Sequence, residues 1–261
     1  MDKYYYGELC SLFYDIDKPE APKDELNFLL SFAKKNMKIL EPMCGSGRFL
    51  IPFLQEGFDI DGFDVSKDMI ARCKEKLSSK NLSTRIELCD FATFEQQKEK
   101  YDLIFIAATS FSLLTELEDI NRALLVMKNS LKPTGRIIFG IETDINYRND
   151  KSDVDEYTFE SEEFQEGKRV KKGSIEVLSK GKSAYNPYRK IMYSSGVYQL
   201  YIDDEYIREE CEDFFLRLYK PNELDGIIEK SGLTIANKYT NFAKNDFNFH
   251  SAEEIFYELH K

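Results

Sequence analysis

The chain has 261 residues, 42% of them hydrophobic and 14% aromatic, with a formal net charge of −11. That is apolar material for one large domain core, or a core with a modest second module, and the acidity counts against a nucleic-acid partner, whose phosphates must be met by cations. The apolar runs are too short to span a bilayer, Met1 leads into Asp2, Lys3 and three tyrosines rather than an apolar leader, and five scattered cysteines without a CxxC pair argue against a disulfide framework or a zinc site. A cytoplasmic protein without membrane association or bound metal is expected.

Residues 37–42 read as a first strand that ends at Cys44-Gly45-Ser46-Gly47. Residues 48–56 follow as a helix bent by Pro52, with Phe49, Leu50, Phe53 and Leu54 inward, and Gly57 stops it. Residues 59–65 form a second strand. Ser66 caps a helix over 67–78 with Met69, Ile70, Cys73 and Leu77 on its inner face. Residues 85–89 are a third strand ending at Asp90, and 101–108 a fourth, apolar enough to be buried on both faces. A helix over 116–130 is broken by Lys132-Pro133-Thr134-Gly135, and 136–141 is a fifth strand. This alternation describes βαβ units and a parallel sheet.

From about residue 145 to 219 the pattern turns β-like, at 157–164, 174–178, 190–201 and 214–219. A connection this long should carry structure of its own, here an inserted antiparallel sheet. Its basic run Lys168-Arg169-Val170-Lys171-Lys172 reads as a solvated hairpin turn. The α/β pattern resumes with a helix opened by Pro221, a cap at Gly232 and strands at 233–239 and 254–260.

The informative stretch is Ile39-Leu40-Glu41-Pro42-Met43-Cys44-Gly45-Ser46-Gly47-Arg48. A strand running into Gly-x-Gly and then a helix puts backbone at the carboxyl edge of a sheet, where open α/β sheets bind ligands, and a Cβ there would hold a nucleotide ligand off. Asp64, seventeen residues beyond Gly47, can accept hydrogen bonds from both hydroxyls of a ribose. Dinucleotide folds need a small residue three positions after the last glycine, to pack beneath the pyrophosphate, and this chain has Leu50.

These residues, with Gly62-Phe63-Asp64-Val65-Ser66 and Met69, Cys89-Asp90-Phe91, Tyr101-Asp102-Leu103-Ile104-Phe105 and Leu131-Lys132-Pro133-Thr134-Gly135-Arg136, resemble in order and spacing the class I S-adenosylmethionine-dependent methyltransferase family. Leu218-Tyr219-Lys220-Pro221-Asn222-Glu223-Leu224 is similar to the start of the helix before that family's sixth strand. The resemblance covers the chain outside the inserted region. It implies a Rossmann-like, doubly wound α/β fold: a seven-stranded sheet, mostly parallel with the last strand antiparallel, carrying an inserted antiparallel β subdomain. Residues 1–145 and 212–261 would bind the cofactor, with 1–36 an N-terminal helical flap, and 146–211 would form a lid over a substrate site or a homodimer interface.

The family's roles fall on this chain as follows. Glu41, Gly45, Gly47 and Arg48 form the turn beside the methionine and ribose of the cofactor, with Met43 where the family usually has glycine. Asp64 takes the ribose hydroxyls, Val65 and Met69 flank the adenine, Asp90 accepts from its amino group and Phe91 packs near the ring. Ala107 and Ser110 face the methionine, and Tyr14 of the flap offers an aromatic face to the sulfonium. The product is S-adenosylhomocysteine. Residues 108–114 lack the Asn/Asp-Pro-Pro-Tyr-like motif of amine-methylating relatives that act on nucleobases, which with the acidity favours a small-molecule acceptor over nucleic acid. Neither His250 nor His260 presents itself as a general base, and none is named. The competing readings are a non-catalytic S-adenosylmethionine-binding or scaffold protein, a tRNA or protein methyltransferase, and an NAD-dependent oxidoreductase.

Overall fold

The computed structural model describes residues 6–95, 98–147, 149, 152–159, 161, 163–244 and 248–261; Tyr4 and Tyr5 of the tyrosine run lie outside them. Two helices, α1 (Glu8–Asp17) and α2 (Lys23–Leu30), lead into β1 (Lys38–Pro42), α3 (Leu50–Gln55), β2 (Asp59–Asp64), α4 (Lys67–Ser79), β3 (Ile86–Leu88) and β4 (Tyr101–Ile106). Then come α5 (Leu117–Ser130), β5 (Leu131–Glu142), β6 (Thr158–Phe159), β7 (Gln165–Lys172), β8 (Ile175–Asn186), β9 (Ile191–Ile202) and β10 (Glu205–Arg217). The chain closes with α6 (Asp225–Lys230), β11 (Thr234–Tyr239) and β12 (Glu254–His260).

The main sheet has seven strands in the order β11-β12-β5-β4-β1-β2-β3, with β12 alone antiparallel to its neighbours. The alternation of side chains along each strand explains its two covered faces. Ile39, Leu103, Phe105 and Ile138 pack under α2, α3 and α4, whereas Leu40, Ile104, Ile106, Ile137 and Phe139 pack under α5 and α6. Strand order reverses between β1 and β4, which opens a crevice at their carboxyl ends. Ser66 caps α4 as its sequence predicts, accepting the Met69 N–H at 3.1 Å.

Several boundaries differ from the sequence reading. The helix after the glycine turn starts at Leu50, not Arg48, so Pro52 falls in its first turn, where proline is tolerated. β5 starts at Leu131: Tyr101 pairs with Leu131 and Leu103 with Arg136, so Lys132-Pro133-Thr134-Gly135 is a bulge within a strand rather than a loop before one.

The second sheet has the order β10-β9-β8-β6, with β7 pairing the same edge of β8. β9 lies where the sequence places it, within one residue, but β8 and β10 are longer than expected: the register runs unbroken from Ile175↔Ile202 to Asn186↔Ile191, and β10 extends from Glu205 through to Arg217. The strand expected over 157–164 is assigned only at Thr158–Phe159 among the described residues. The basic run is a strand, not a turn: Val170 points inward on β7, Lys168 meets Asp17, and Arg169 and Lys171 meet Glu176. Helix α1 lies on this sheet, with Phe13 5.4 Å from Tyr198 between ring centroids and Tyr6 5.1 Å from Phe214. Among the described residues no helix is long and apolar enough to cross a membrane.

Candidate functional site

The turn after β1 is built from left-handed backbone. Met43, Gly45 and Gly47 have φ of 57°, 52° and 80°, a region open to glycine and costly for other residues. Asp64, at the end of β2, staples this turn: its Oδ2 accepts the Gly45 N–H at 2.8 Å and its Oδ1 the Ser66 N–H at 2.8 Å. Burial raises the Asp64 carboxyl above its ordinary range, against the pull of those N–H groups. Gly47 serves packing: a Cβ there would lie 2.7 Å from Cys73 Sγ, so the missing side chain seats the turn on α4. A Cβ on Gly62 would come 2.6 Å from Leu50, so β2 makes the room that Leu50 fills.

These residues wall a cavity of about 140 Å³ at the strand-order reversal. Glu41, Met43, Gly45, Arg48, Asp64 and Val65 line one side, Met69, Asp90 and Phe91 another, and Ala107, Ser110 and Tyr14 close it. Phe63 adds an apolar wall, edge-on to Phe91 at 5.2 Å and stacked on Phe94 at 4.5 Å. Asp90 Oδ1 accepts the N–H groups of Ala92 and Thr93 and the Thr93 hydroxyl. Burial opposes ionisation there, but these hydrogen bonds win and hold the carboxyl below its usual value.

Glu41 is 2% exposed, and burial pushes its carboxyl well above the ordinary range in spite of the Arg48 guanidinium. Its Oε2 and the Arg48 Nε are buried without a hydrogen-bond partner. Such atoms are costly unless something satisfies them. Arg48 is held by rings, 5.2 Å from the Tyr14 centroid and 5.1 Å from Phe49; burial raises the Tyr14 hydroxyl to about 12.

Two further recesses open from this cavity. One runs between α1 and the second sheet, lined by Phe13, Tyr14, Ser110, Tyr198, Phe214 and Glu142. The other is an acidic corner where Glu25, Glu142 and Glu254 meet Arg48. Glu254 and Glu142 are cross-strand partners on β12 and β5, and neither is in an ion pair among the described residues. Glu25 accepts the Ala108 N–H at 2.6 Å, and Glu142 the Thr109 hydroxyl at 3.2 Å. Burial, Glu25 and Glu142 together raise the Glu254 carboxyl to about 7. Ala108 and Thr109 are both left-handed, with φ of 53° and 50°. Among the described residues no group of His, Cys, Asp and Glu is arranged to hold a metal ion.

A family model described as a methyltransferase domain matches residues 39–135. The chain is 32% identical over 165 residues to malonyl-[acyl-carrier protein] O-methyltransferase 2 of Ilyobacter polytropus, covering 60% of this chain and 61% of that protein. It is 25% identical over 133 residues to the putative methyltransferase YqeM of Bacillus subtilis, covering 50% of this chain and 53% of that one. The sugar N-methyltransferase KedS8 from Streptoalloteichus superposes with a TM-score of 0.71 at 15% identity, over 97% of this chain and 93% of that one, and so shares the fold. Residues 39–135 thus match a methyltransferase domain, and the chain shares the fold of a solved methyltransferase. The chain spans between half and about three-fifths of the length of those two curated relatives.

The sequence-named residues converge on one cavity, except Gly47, which packs behind it. His260 sits on β12 beside Glu258, away from the cavity, and His250 does not line it. Sequence reading placed Tyr6 only within the tyrosine run of the expected flap, with Tyr14 as its chosen contact, and it missed Phe63 and the carboxylates Glu25, Glu142 and Glu254 as site residues. Tyr6 carried a signal, as the end of the tyrosine run before α1. The glutamates carried none, because they come from α2, β5 and β12 and meet only through the sheet order.

Proposed function

We propose that this protein transfers a methyl group from S-adenosylmethionine to a nitrogen of a small-molecule amine, releasing S-adenosylhomocysteine. The observation that carries the cofactor half is the buried, unpartnered pair of Glu41 Oε2 and Arg48 Nε on the wall of the cavity that Asp64 staples. An α-amino acid tail brings the two groups these atoms lack, an ammonium for Glu41 and a carboxylate for Arg48. The lone pairs that Asp64 keeps after binding Gly45 and Ser66 fit the two hydroxyls of a ribose. Val65, Met69 and Phe91 offer apolar surface to a flat base, and Asp90 Oδ2 is left to accept from its amino group. When bound, S-adenosylmethionine supplies a methyl group already activated on a sulfonium. The Tyr14 face favours such a cation, and the closed walls exclude water and align the acceptor.

The acidic corner supports an amine as acceptor. Like charges directly opposed across a sheet are destabilising, and a cationic ligand relieves the Glu142–Glu254 pair. An ammonium must lose a proton before its nitrogen can attack, and Glu254, raised to about 7, is suited to take it. The sugar N-methyltransferase neighbour acts on nitrogen by its name. Residues 146–211 would be the acceptor-side lid, joined by Phe214 and Leu216 of β10, with 1–145 and 212–261 as the cofactor-binding domain and 1–36 as its flap.

Calorimetry with S-adenosylmethionine, S-adenosylhomocysteine and NAD tests the cofactor. Binding of the first two and not the third is expected, and no heat with either of the first two removes the reading. Transfer of labelled methyl across amino sugars, amino acids, their hydroxyl analogues and tRNA tests the acceptor. Labelling of hydroxyl analogues or tRNA in preference to amines would sink the nitrogen assignment, and binding without any transfer would favour a non-catalytic protein.

A further inference from the structure

We infer that Glu210 and Glu212 of the second sheet are positioning residues for the cofactor cavity: they hold the start of α1, and with it the Tyr6 ring, across the cavity wall. The inference rests on the cofactor reading above. The first turn of α1 has no capping side chain of its own, since its N-cap is Gly7. Its free N–H groups go instead to β10. The Gly7 N–H donates to both oxygens of Glu212 at 3.0 and 2.9 Å, and the Leu9 N–H to Glu210 Oε2 at 2.6 Å. Arg208 backs this clasp, reaching Glu210 at 3.0 Å and Glu8 of α1 at 2.7 Å.

Tyr6 is the residue the clasp controls. Its φ of 63° is a left-handed conformation that an aromatic residue rarely keeps, so its surroundings must over-determine it. On its carbonyl side, Tyr6 accepts the hydroxyls of Ser66 at 2.7 Å and Ser11 at 2.9 Å. Ser66 is also the residue whose N–H binds Asp64. The backbone of Tyr6 is therefore strung between the second sheet and the Asp64 staple. Its ring stands 5.7 Å from Tyr14 and 5.1 Å from Phe214, and it lines both the main cavity and the recess toward the second sheet. The far end of α1 is tied to the glycine turn, where Asp15 accepts from Ser46 at 2.6 Å and Lys76 at 2.9 Å. Tyr6 and Tyr14 both line the cavity, so release of α1 would carry both rings away from it, and the carboxylates of β10 set how firmly α1 is held in place. A weaker clasp lowers the closed fraction, and apparent affinity falls by the same factor.

The test compares the wild type with E210A/E212A and E210Q/E212Q, reading S-adenosylhomocysteine affinity by calorimetry, amide exchange over residues 7–11 and the ligand-free unfolding midpoint. The alanine pair should bind the product about tenfold more weakly, with faster exchange in α1 and a midpoint close to wild type. The glutamine pair keeps an acceptor but loses the charge, and should recover part of the affinity. It also serves if the alanine pair does not fold. A wild type that binds and variants that bind equally well overturn the clasp alone. A wild type that takes up no S-adenosylhomocysteine overturns the cofactor reading and this inference together. A fall in midpoint without any change in affinity assigns the glutamates to stability and overturns the positioning role.

Discussion

The main cavity and the acidic corner beside it are both rich in carboxylates, but they treat them in opposite ways. Asp64 and Asp90 stand at strand ends in the first half of the chain, and each is engaged by backbone N–H groups within a few residues of its own turn or the next. Glu142 and Glu254 are opposed on paired strands, and neither is in an ion pair among the described residues, although Lys18 and Arg48 line the same corner. A carboxylate satisfied by backbone shapes a site before any ligand arrives. One left facing another carboxylate is set for a partner of opposite charge. The first region is preorganised, and the second holds carboxyls that burial keeps reluctant to ionise.

The sharpest way to break that comparison is Asp64→Ala. It frees the Gly45 and Ser66 N–H groups together and removes the acceptor proposed for the two ribose hydroxyls; with about 1.5–3 kcal/mol for each of those two hydrogen bonds, S-adenosylhomocysteine affinity should fall by about two orders of magnitude or more in calorimetry. Glu254→Gln should divide the two regions cleanly: kcat/KM with an amine acceptor drops about a hundredfold, while product affinity stays at the wild-type value. A matching loss of both would mean that the corner belongs to the cofactor.

The pH profile carries the same distinction. Proton acceptance needs ionised Glu254, so kcat/KM should rise with pH through about 7, and E254Q should lose that limb. Stability runs the other way. Burial and the neighbouring carboxylates favour the neutral acid in the folded chain, so its contribution is present below pH 4.5 and is lost as pH rises to about 7. Unfolding midpoints at pH 8 should therefore be higher for E254Q than for the wild type. The smallest expected effect is at Met43, where glycine would relieve about 1–2 kcal/mol of left-handed strain and add about 0.5–1 kcal/mol of unfolded-chain entropy. The net gain should be within about 1 kcal/mol by urea denaturation.

The same contrast sets how much of the molecule was legible. Alternating apolar runs and glycine punctuation specify β1 to β5 nearly in place, because each strand's neighbours in the chain also cover it in space. The residues around Gly45, Asp64 and Asp90 are legible for the same reason: each sits where a strand ends, and a ligand edge is a property of strand ends. Leu50 argued against a dinucleotide by its size, and the structure shows where that size goes, into the space above Gly62. Glu25, Glu142 and Glu254 could not be read, since a glutamate in a strand or helix looks the same whether it faces water or another glutamate. In the second sheet β9 was legible, but β8 was cut short, because the Ser, Lys and Gly inside it imitate turn residues. The strand persists through them on the strength of continuous pairing.

The pairing of β12 with β5 gives the acidic corner a parity. Ile255, Tyr257 and Leu259 are buried on one side of β12, and Glu254 lies on the other with Phe256. Sliding the strand by one residue would drive Glu254 and Glu258 into the side now filled by Ile255, Tyr257 and Leu259, and force those three into the side that Phe256 fills. Such a shift has no tolerable intermediate. If the corner selects the acceptor as proposed, that preference changes by replacing a side chain where it stands, which confines the search for altered specificity to a few codons.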